Sequence, residues 1–196
     1  MNKSFSLSTI LLIILICLRP PVTIAQDSTI TKYPDGTIRS IAIRINGKLD
    51  GVQKYYYENG NLNELTTYKN GFEEGKVQAF FVDGTISNDV SVNKYGNLNG
   101  EVKRYYRNGN FKEHSFYING KLNDIQRYYY ENGNLSDLIT HNNGLEEGKL
   151  EMYFENGQLS FSGTNKNGKR HGVFKEYDIN GNLKSSEEWV DGNKVE

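Results

Sequence analysis

The chain has a single cysteine, Cys17, and three prolines, of which only Pro34 lies beyond residue 21. With no second cysteine, no intrachain disulfide can staple the fold, so packing and backbone hydrogen bonds must carry its stability. With so little proline, nothing reads as a Pro-rich linker, and one domain is expected. Charge of one sign is also lacking: 23 Lys and Arg face 24 Asp and Glu. A near-neutral surface argues against a nucleic-acid partner. No stretch after residue 25 has a helical period of useful length, which points away from helices. G-x-S-x-G, P-loop and H-E-x-x-H motifs are all missing. The three histidines, His114, His141 and His171, stand in different repeat columns and read as solvent or turn residues. The expectation is therefore a non-enzymatic protein without metal or cofactor.

What the chain does contain is repetition. YYYENGNL occurs twice, at Tyr55 to Leu62 and at Tyr128 to Leu135. A column of glycines preceded by Asn or Asp runs Gly36, Gly60, Gly84, Gly109, Gly133, Gly157 and Gly181, in steps of 24 with one step of 25. A second column runs Gly47, Gly71, Gly96, Gly120, Gly144, Gly168, Gly192. A third runs Gly51, Gly75, Gly100, Asp124, Gly148, Gly172. The one extra residue falls between Gly84 and Gly96 in both of the first two columns. Fixed-period self-similarity of this kind marks a repeat architecture. Six full units follow, 33–56, 57–80, 81–105, 106–129, 130–153 and 154–177, with a partial seventh at 178–196.

Residues 1–25 stand outside the pattern. Lys3 precedes an unbroken apolar run, Ile10 to Leu18, and Thr23-Ile24-Ala25 offers a small-residue cleavage site. This is the anatomy of a secretory signal peptide, and it predicts a secreted or periplasmic protein cleaved after Ala25. Loss of Lys3 and Arg19 with that segment would move the net charge from −1 to −3. Residues 26–32 read as a leader or capping segment, and 33–196 as the repeat domain.

Within a unit, short runs rich in Tyr, Phe, Val and Thr flank each Asn-Gly or Asp-Gly pair. Such runs favour strands, and the pairs suit a two-residue type I′ turn whose central residues both take positive φ. The first-column glycines are thus expected at structural turns, while the second connection reads as longer, with two glycines. The resulting fold class is all-β: an elongated, single-domain antiparallel meander with two strands per unit. At about 4.8 Å per strand, each unit adds roughly 10 Å of length. An aromatic column, Tyr56, Phe80, Tyr105, Tyr129, Tyr153, Tyr177, is expected to stack unit on unit and pack the strip.

The pattern Y-x-N-G-x-L, then N-G-K-x-x-G, then a Tyr pair resembles the MORN repeat in its bacterial variant. Gly168-Lys169-Arg170-His171-Gly172 is the nearest single match, and Gly47-Lys48-Leu49-Asp50-Gly51 is similar. Proteins built of this variant are commonly placed with the YwqK-type antitoxin family. The likeness spans 33–196 and implies about seven hairpin repeats that bind protein or membrane lipid. The antitoxin label implies neutralising a toxin by direct binding, and an exported member would meet only a toxin in the envelope or outside.

Adjacent residues on a strand face opposite ways, so each Tyr triplet must present a ring away from any one core. Tyr55, Tyr57, Tyr128 and Tyr130 are the candidate binding residues on that ground. Glu73-Glu74 and Glu146-Glu147 read as solvated loop tips. Another protein is the expected partner, with envelope lipid or glycan as the alternative.

Overall fold

The structure, a computed structural model, describes residues 25–196; the predicted signal peptide and its cleavage site lie outside or at the border of these residues. The elements are β1 Gln26–Lys32, β2 Ile38–Ile45, β3 Lys48–Leu49, β4 Gly51–Tyr56, β5 Leu62–Lys69, β6 Phe72–Phe80, β7 Ile86–Val92, β8 Leu98–Tyr105 and β9 Phe111–Ile118. They continue with β10 Lys121–Leu122, β11 Asp124–Tyr129, β12 Leu135–Asn142, β13 Leu145–Tyr153, β14 Leu159–Lys166, β15 Lys169–Arg170, β16 Gly172–Tyr177, β17 Leu183–Val190 and β18 Asn193–Lys194. No helix occurs among the described residues. Successive long strands pair antiparallel, and the short β3, β10 and β15 pair back onto β2, β9 and β14, which also pair with β4, β11 and β16, making one open meander. Residues 26–32, read from sequence as leader or cap, form β1, which pairs along β2.

The turn chemistry differs from the expectation, because the two turn types exchange places. At the first column only glycine takes positive φ, as at Gly60 (83°), while Asn59 does not. Gly60 N–H donates to the Tyr57 carbonyl at 2.9 Å and Tyr57 N–H to the Asn61 carbonyl at 2.8 Å. This is a three-residue loop, a type I turn closed by a left-handed glycine. The asparagine is needed there for its side chain: Asn59 Oδ1 accepts from Asn61 N–H at 3.0 Å. The two-residue turn with both φ positive sits instead at the second column, for example Asn70 (52°) and Gly71 (88°). In the third unit the extra residue converts this turn into the three-residue kind. Gly96 N–H there donates to the Asn93 carbonyl at 2.8 Å, and Asn93 N–H to the Asn97 carbonyl at 2.9 Å.

Both edges of the strip are stitched from unit to unit. Along the first-column edge, the Tyr33, Tyr57, Tyr106 and Tyr130 hydroxyls donate to the carbonyls of Tyr56, Phe80, Tyr129 and Tyr153 at 2.7–2.8 Å. Asparagine pairs then clamp one carbonyl of the following unit. Asn59 and Asn61 grip Val82, Asn108 and Asn110 grip Glu131, and Asn132 and Asn134 grip Glu155. Along the other edge, turn glycine amides donate to the preceding unit, as Gly71 does to Leu49 and Gly144 to Leu122.

Every fully buried residue among those described lies on one face. Cross-strand partners share a face, and the pairings line up Gln53, Thr66, Val77, Val90, Val102 and Ser115, then Gln126, Ile139, Leu150 and Gly163. A one-layer sheet has no second layer, so residues this buried must be enclosed by flanking rows of the same face. The strands therefore curl around the row, and register shifts in each unit supply the bend. We call this the inner face. Gln53 shows how a bulge is sealed: Ile43 N–H donates to its Oε1 at 2.7 Å, while its Nε2 reaches the Ile43 and Gly51 carbonyls at 3.2 and 3.1 Å. The aromatic column packs too, but by alternation. Phe111 lies 5.1 Å from Tyr105 and 6.0 Å from Tyr129, centre to centre, so each tyrosine meets the apolar residue of the intervening strand before its own equivalent.

Candidate functional site

Tyr55 and Tyr128, opposite Glu64 and Asp137, share the inner face with the buried row. Tyr57 and Tyr130 stand at the turns with their hydroxyls committed to the Phe80 and Tyr153 carbonyls. All four rings are half-buried, where exposed rings were expected. The repeat explains why: a ring at the unit boundary is enclosed by the next unit. The two triplets lie three units apart, roughly 30 Å at 4.8 Å per strand, so they form no common site. His141 is buried on the inner face, against the expectation of a solvent or turn position, because its strand places it directly opposite Glu146. Glu73, Glu74, Glu146 and Glu147 lie in β6 and β13 and are part-buried, so they are not loop tips. Glu146 accepts from Asn165 Nδ2, and Glu147 accepts from Asn167 N–H at 2.5 Å. Among the described residues no three His, Cys, Asp or Glu groups converge on a metal-sized point.

Two inner-face clusters remain. In mid-array, Glu113 is 2% exposed. It is held by Arg104, by the Ser115 hydroxyl at 2.8 Å and by Gln126 Nε2 at 3.2 Å, and Gln126 also donates to the Tyr128 hydroxyl at 2.8 Å. Burial, helped by the Glu113 charge, pushes the Tyr117 and Tyr128 phenols above their ordinary range. A carboxylate so enclosed has its donors supplied by the strip itself, and removing one of them would leave a buried charge unpaired.

The second cluster is open. A groove of about 580 Å³ lies at the junction of the last two units, walled by Met152, Phe154, Phe161, Tyr177 and Ile179, with Arg170, Glu176, Asp178 and Lys184 at its rim. Its place follows from two substitutions in the repeat. Phe154 stands where four units have the clipping tyrosine and carries no hydroxyl. Gln158 stands where Asn61, Asn110 and Asn134 clamp the next unit. The third unit departs at the same two positions, with Phe81 and Thr85, but there Arg107 lies 5.4 Å over the Phe81 ring and 3.8 Å from Asp83. A smaller cavity of about 280 Å³ occupies the corresponding repeat positions near the other end, beside Tyr33, Arg39, Tyr55, Tyr56, Asn63 and Glu64. Tyr55 is thus a sequence-derived candidate that lines a cavity. Arg170, Phe161 and Ile179 were missed, although the Phe154 and Gln158 departures in the repeat could have pointed to that junction.

The MORN repeat variant model matches residues 49–70, 98–122, 125–143, 146–167 and 170–191, together more than half the chain. The chain belongs to the MORN repeat variant family. Each MORN match begins just before one hairpin and ends at or near the following second-column turn, so the family's unit is the hairpin around the three-residue loop. The stretch 71–97, which holds the extra residue, falls outside the MORN matches. No curated protein matches the chain. Membership makes this a repeat protein with a binding role and leaves its partner to the chemistry of its surfaces.

Proposed function

We propose that this is an exported, non-catalytic MORN protein that binds another protein along its inner face, in the manner of an antitoxin or immunity protein. The observation that carries the reading is the groove at the last junction. There the repeat relinquishes both of its inter-unit clips without the Arg107 bridge found at the third unit, and leaves apolar walls with charged rims. Pockets of this size and lining are where proteins take up ligands and partner side chains. Cleavage after Ala25 would put the protein in the periplasm or outside the cell, where a toxin acting on the envelope is within its reach. The near-neutral charge keeps nucleic acid outside the proposal.

The experiment is site-specific photo-crosslinking of the mature protein in an envelope fraction. A photoreactive residue replaces Ile179 or Tyr128 on the inner face, or Lys54 on the opposite face. One protein crosslinked in stoichiometric amount from the inner-face positions, and not from Lys54, is the expected result. Crosslinking from Lys54 alone would reject the inner face as the docking surface.

A second reading, contact with envelope lipid, is favoured by one specific observation. The second-column turn edge carries Lys48, Phe72, Lys94, Tyr95, Lys121, Leu145 and Lys169 in a line. Phe72 is 63% and Tyr95 76% exposed. Aromatic rings interspersed with lysines suit a headgroup interface. Flotation with anionic liposomes that is lost in a Phe72→Ser, Leu145→Ser variant would support this edge over the groove.

A further inference from the structure

We propose that the groove at the last junction captures the C-terminal carboxylate of a partner polypeptide together with that residue's apolar side chain. This rests on the protein-binding reading above and narrows it to one chemistry at one place.

The argument begins with which charges in the groove are already spent. Glu176 is paired with Lys184. Asp178 accepts from the Asn180 and Asn182 amides and from Asn182 Nδ2, each at 2.9 Å. Asp178 keeps its negative charge, but its oxygens are occupied by these donors. Arg170 is the groove cation that makes neither an ion pair nor a side-chain hydrogen bond among the described residues, with Glu187 near enough to feel its field but beyond pairing distance. It is fixed by rings instead. Its Cζ lies 4.9 Å from the Phe174 centre, 4.9 Å from the Trp189 centre and 5.7 Å from the Phe161 centre. Aromatic rings attract the cation but offer its N–H groups no strong acceptor, so those donors remain without a hydrogen-bond partner among the described residues. A planar cation held this way is pre-organised for a bidentate carboxylate.

The walls select what accompanies the anion. Met152, Phe154, Phe161 and Ile179 offer no charge, so a phosphate or sulfate alone would leave them uncovered. A chain terminus supplies both groups on one residue, a carboxylate and a side chain on the same Cα. Terminal-carboxylate capture is also an established mode of peptide recognition. The cavity near the other end lacks this combination. Arg39 lies 5.9 Å from the Tyr33 ring, but the lining there is Tyr55, Tyr56, Asn63 and Glu64, with no aliphatic wall for an apolar side chain.

Trp189, the only tryptophan, has its ring centre 4.9 Å from the Arg170 Cζ and reports occupancy through its fluorescence. The full mature chain is titrated with a short peptide ending in a free-acid phenylalanine, with the same peptide as its C-terminal amide, and with a medium-chain fatty acid. The expected result is a saturable change with the free acid and binding roughly ten- to a hundredfold weaker with the amide, the usual effect of losing a charge-assisted hydrogen bond. Arg170→Gln should abolish the preference for the acid. Ile179→Ser should weaken binding while leaving Arg170 in place, which guards against a folding artefact. Equal binding of acid and amide overturns the proposal, as does an absent peptide response. A response to the fatty acid alone overturns the polypeptide source. Inner-face crosslinking to one protein that persists in Arg170→Gln would leave the broader reading standing while this one fell.

Discussion

Phe174 and Gly163 offer the sharpest test of how the inner face is packed. The Phe174 ring is 2% exposed and sits over Gly163, close to Phe161 and Trp189 at 5.7 and 6.5 Å between centres. A Cβ built on Gly163 would lie 2.2 Å from two ring carbons of Phe174, far inside contact distance. Gly163 is therefore glycine to admit the ring; its φ is ordinary, unlike that of the turn glycines. Phe174→Ala should cost about 3–5 kcal/mol through lost burial and the cavity left behind. Gly163→Ala should cost about 1–3 kcal/mol by overpacking. In the double variant the new methyl occupies space the ring has vacated, so the combined loss should fall short of the sum by at least about 1 kcal/mol. Urea unfolding followed by both Trp189 fluorescence and far-UV circular dichroism measures all four corners of the cycle. Stability in a repeat array is a sum over neighbours. In Phe174→Ala the tryptophan signal should accordingly change at lower urea than the backbone signal. Additivity within about 0.5 kcal/mol, or a wild-type midpoint for Phe174→Ala, would refute the ring-over-glycine account.

Other perturbations probe the repeat elsewhere. Phe154→Tyr should restore the missing clip to the Tyr177 carbonyl and stabilise the chain by about 0.5–1.5 kcal/mol, read as a rise of a few degrees in Tm; no rise would mean the hydroxyl clips are incidental. Asp124 holds φ 76° where the other units have glycine. Asp124→Gly should relieve strain of about 1 kcal/mol and raise the urea midpoint. Burial, with the hydrogen bond to Glu151, pushes the Tyr153 phenol from 10.0 up to about 12. Because the folded state holds that proton more tightly, its contribution is complete below pH 10 and is lost as pH rises through about 12. Thermal melts across that window should show the decline in the wild type and a flatter profile in Tyr153→Phe.

Much of this was legible because a repeat states each rule several times. Three glycine columns in register established the hairpin period, the all-β class and the unit in which a residue is inserted. The exchange of turn types was not legible, since Asn-Gly is compatible with either loop; the three-residue form goes with an Asp or Asn oxygen that accepts from the amide two residues on, as at Asp35, Asn59, Asp83 and Asn156. The half-burial of the Tyr triplets was hidden for a related reason. Strand alternation says which way a ring points, while the curl of the sheet determines how much of it neighbours enclose. Glu113 and His141 are buried for the same cause.

The amino-acid sequence by itself determined the local geometry, because positive φ at glycine and strand preference at Tyr, Val and Thr act within a few residues of themselves. Tertiary structure decided which of the two faces became the interior and where the strip gapes. Those outcomes depend on hydroxyls and amides meeting carbonyls 21 to 23 residues away, and on the place at Phe154 and Gln158 where they do not.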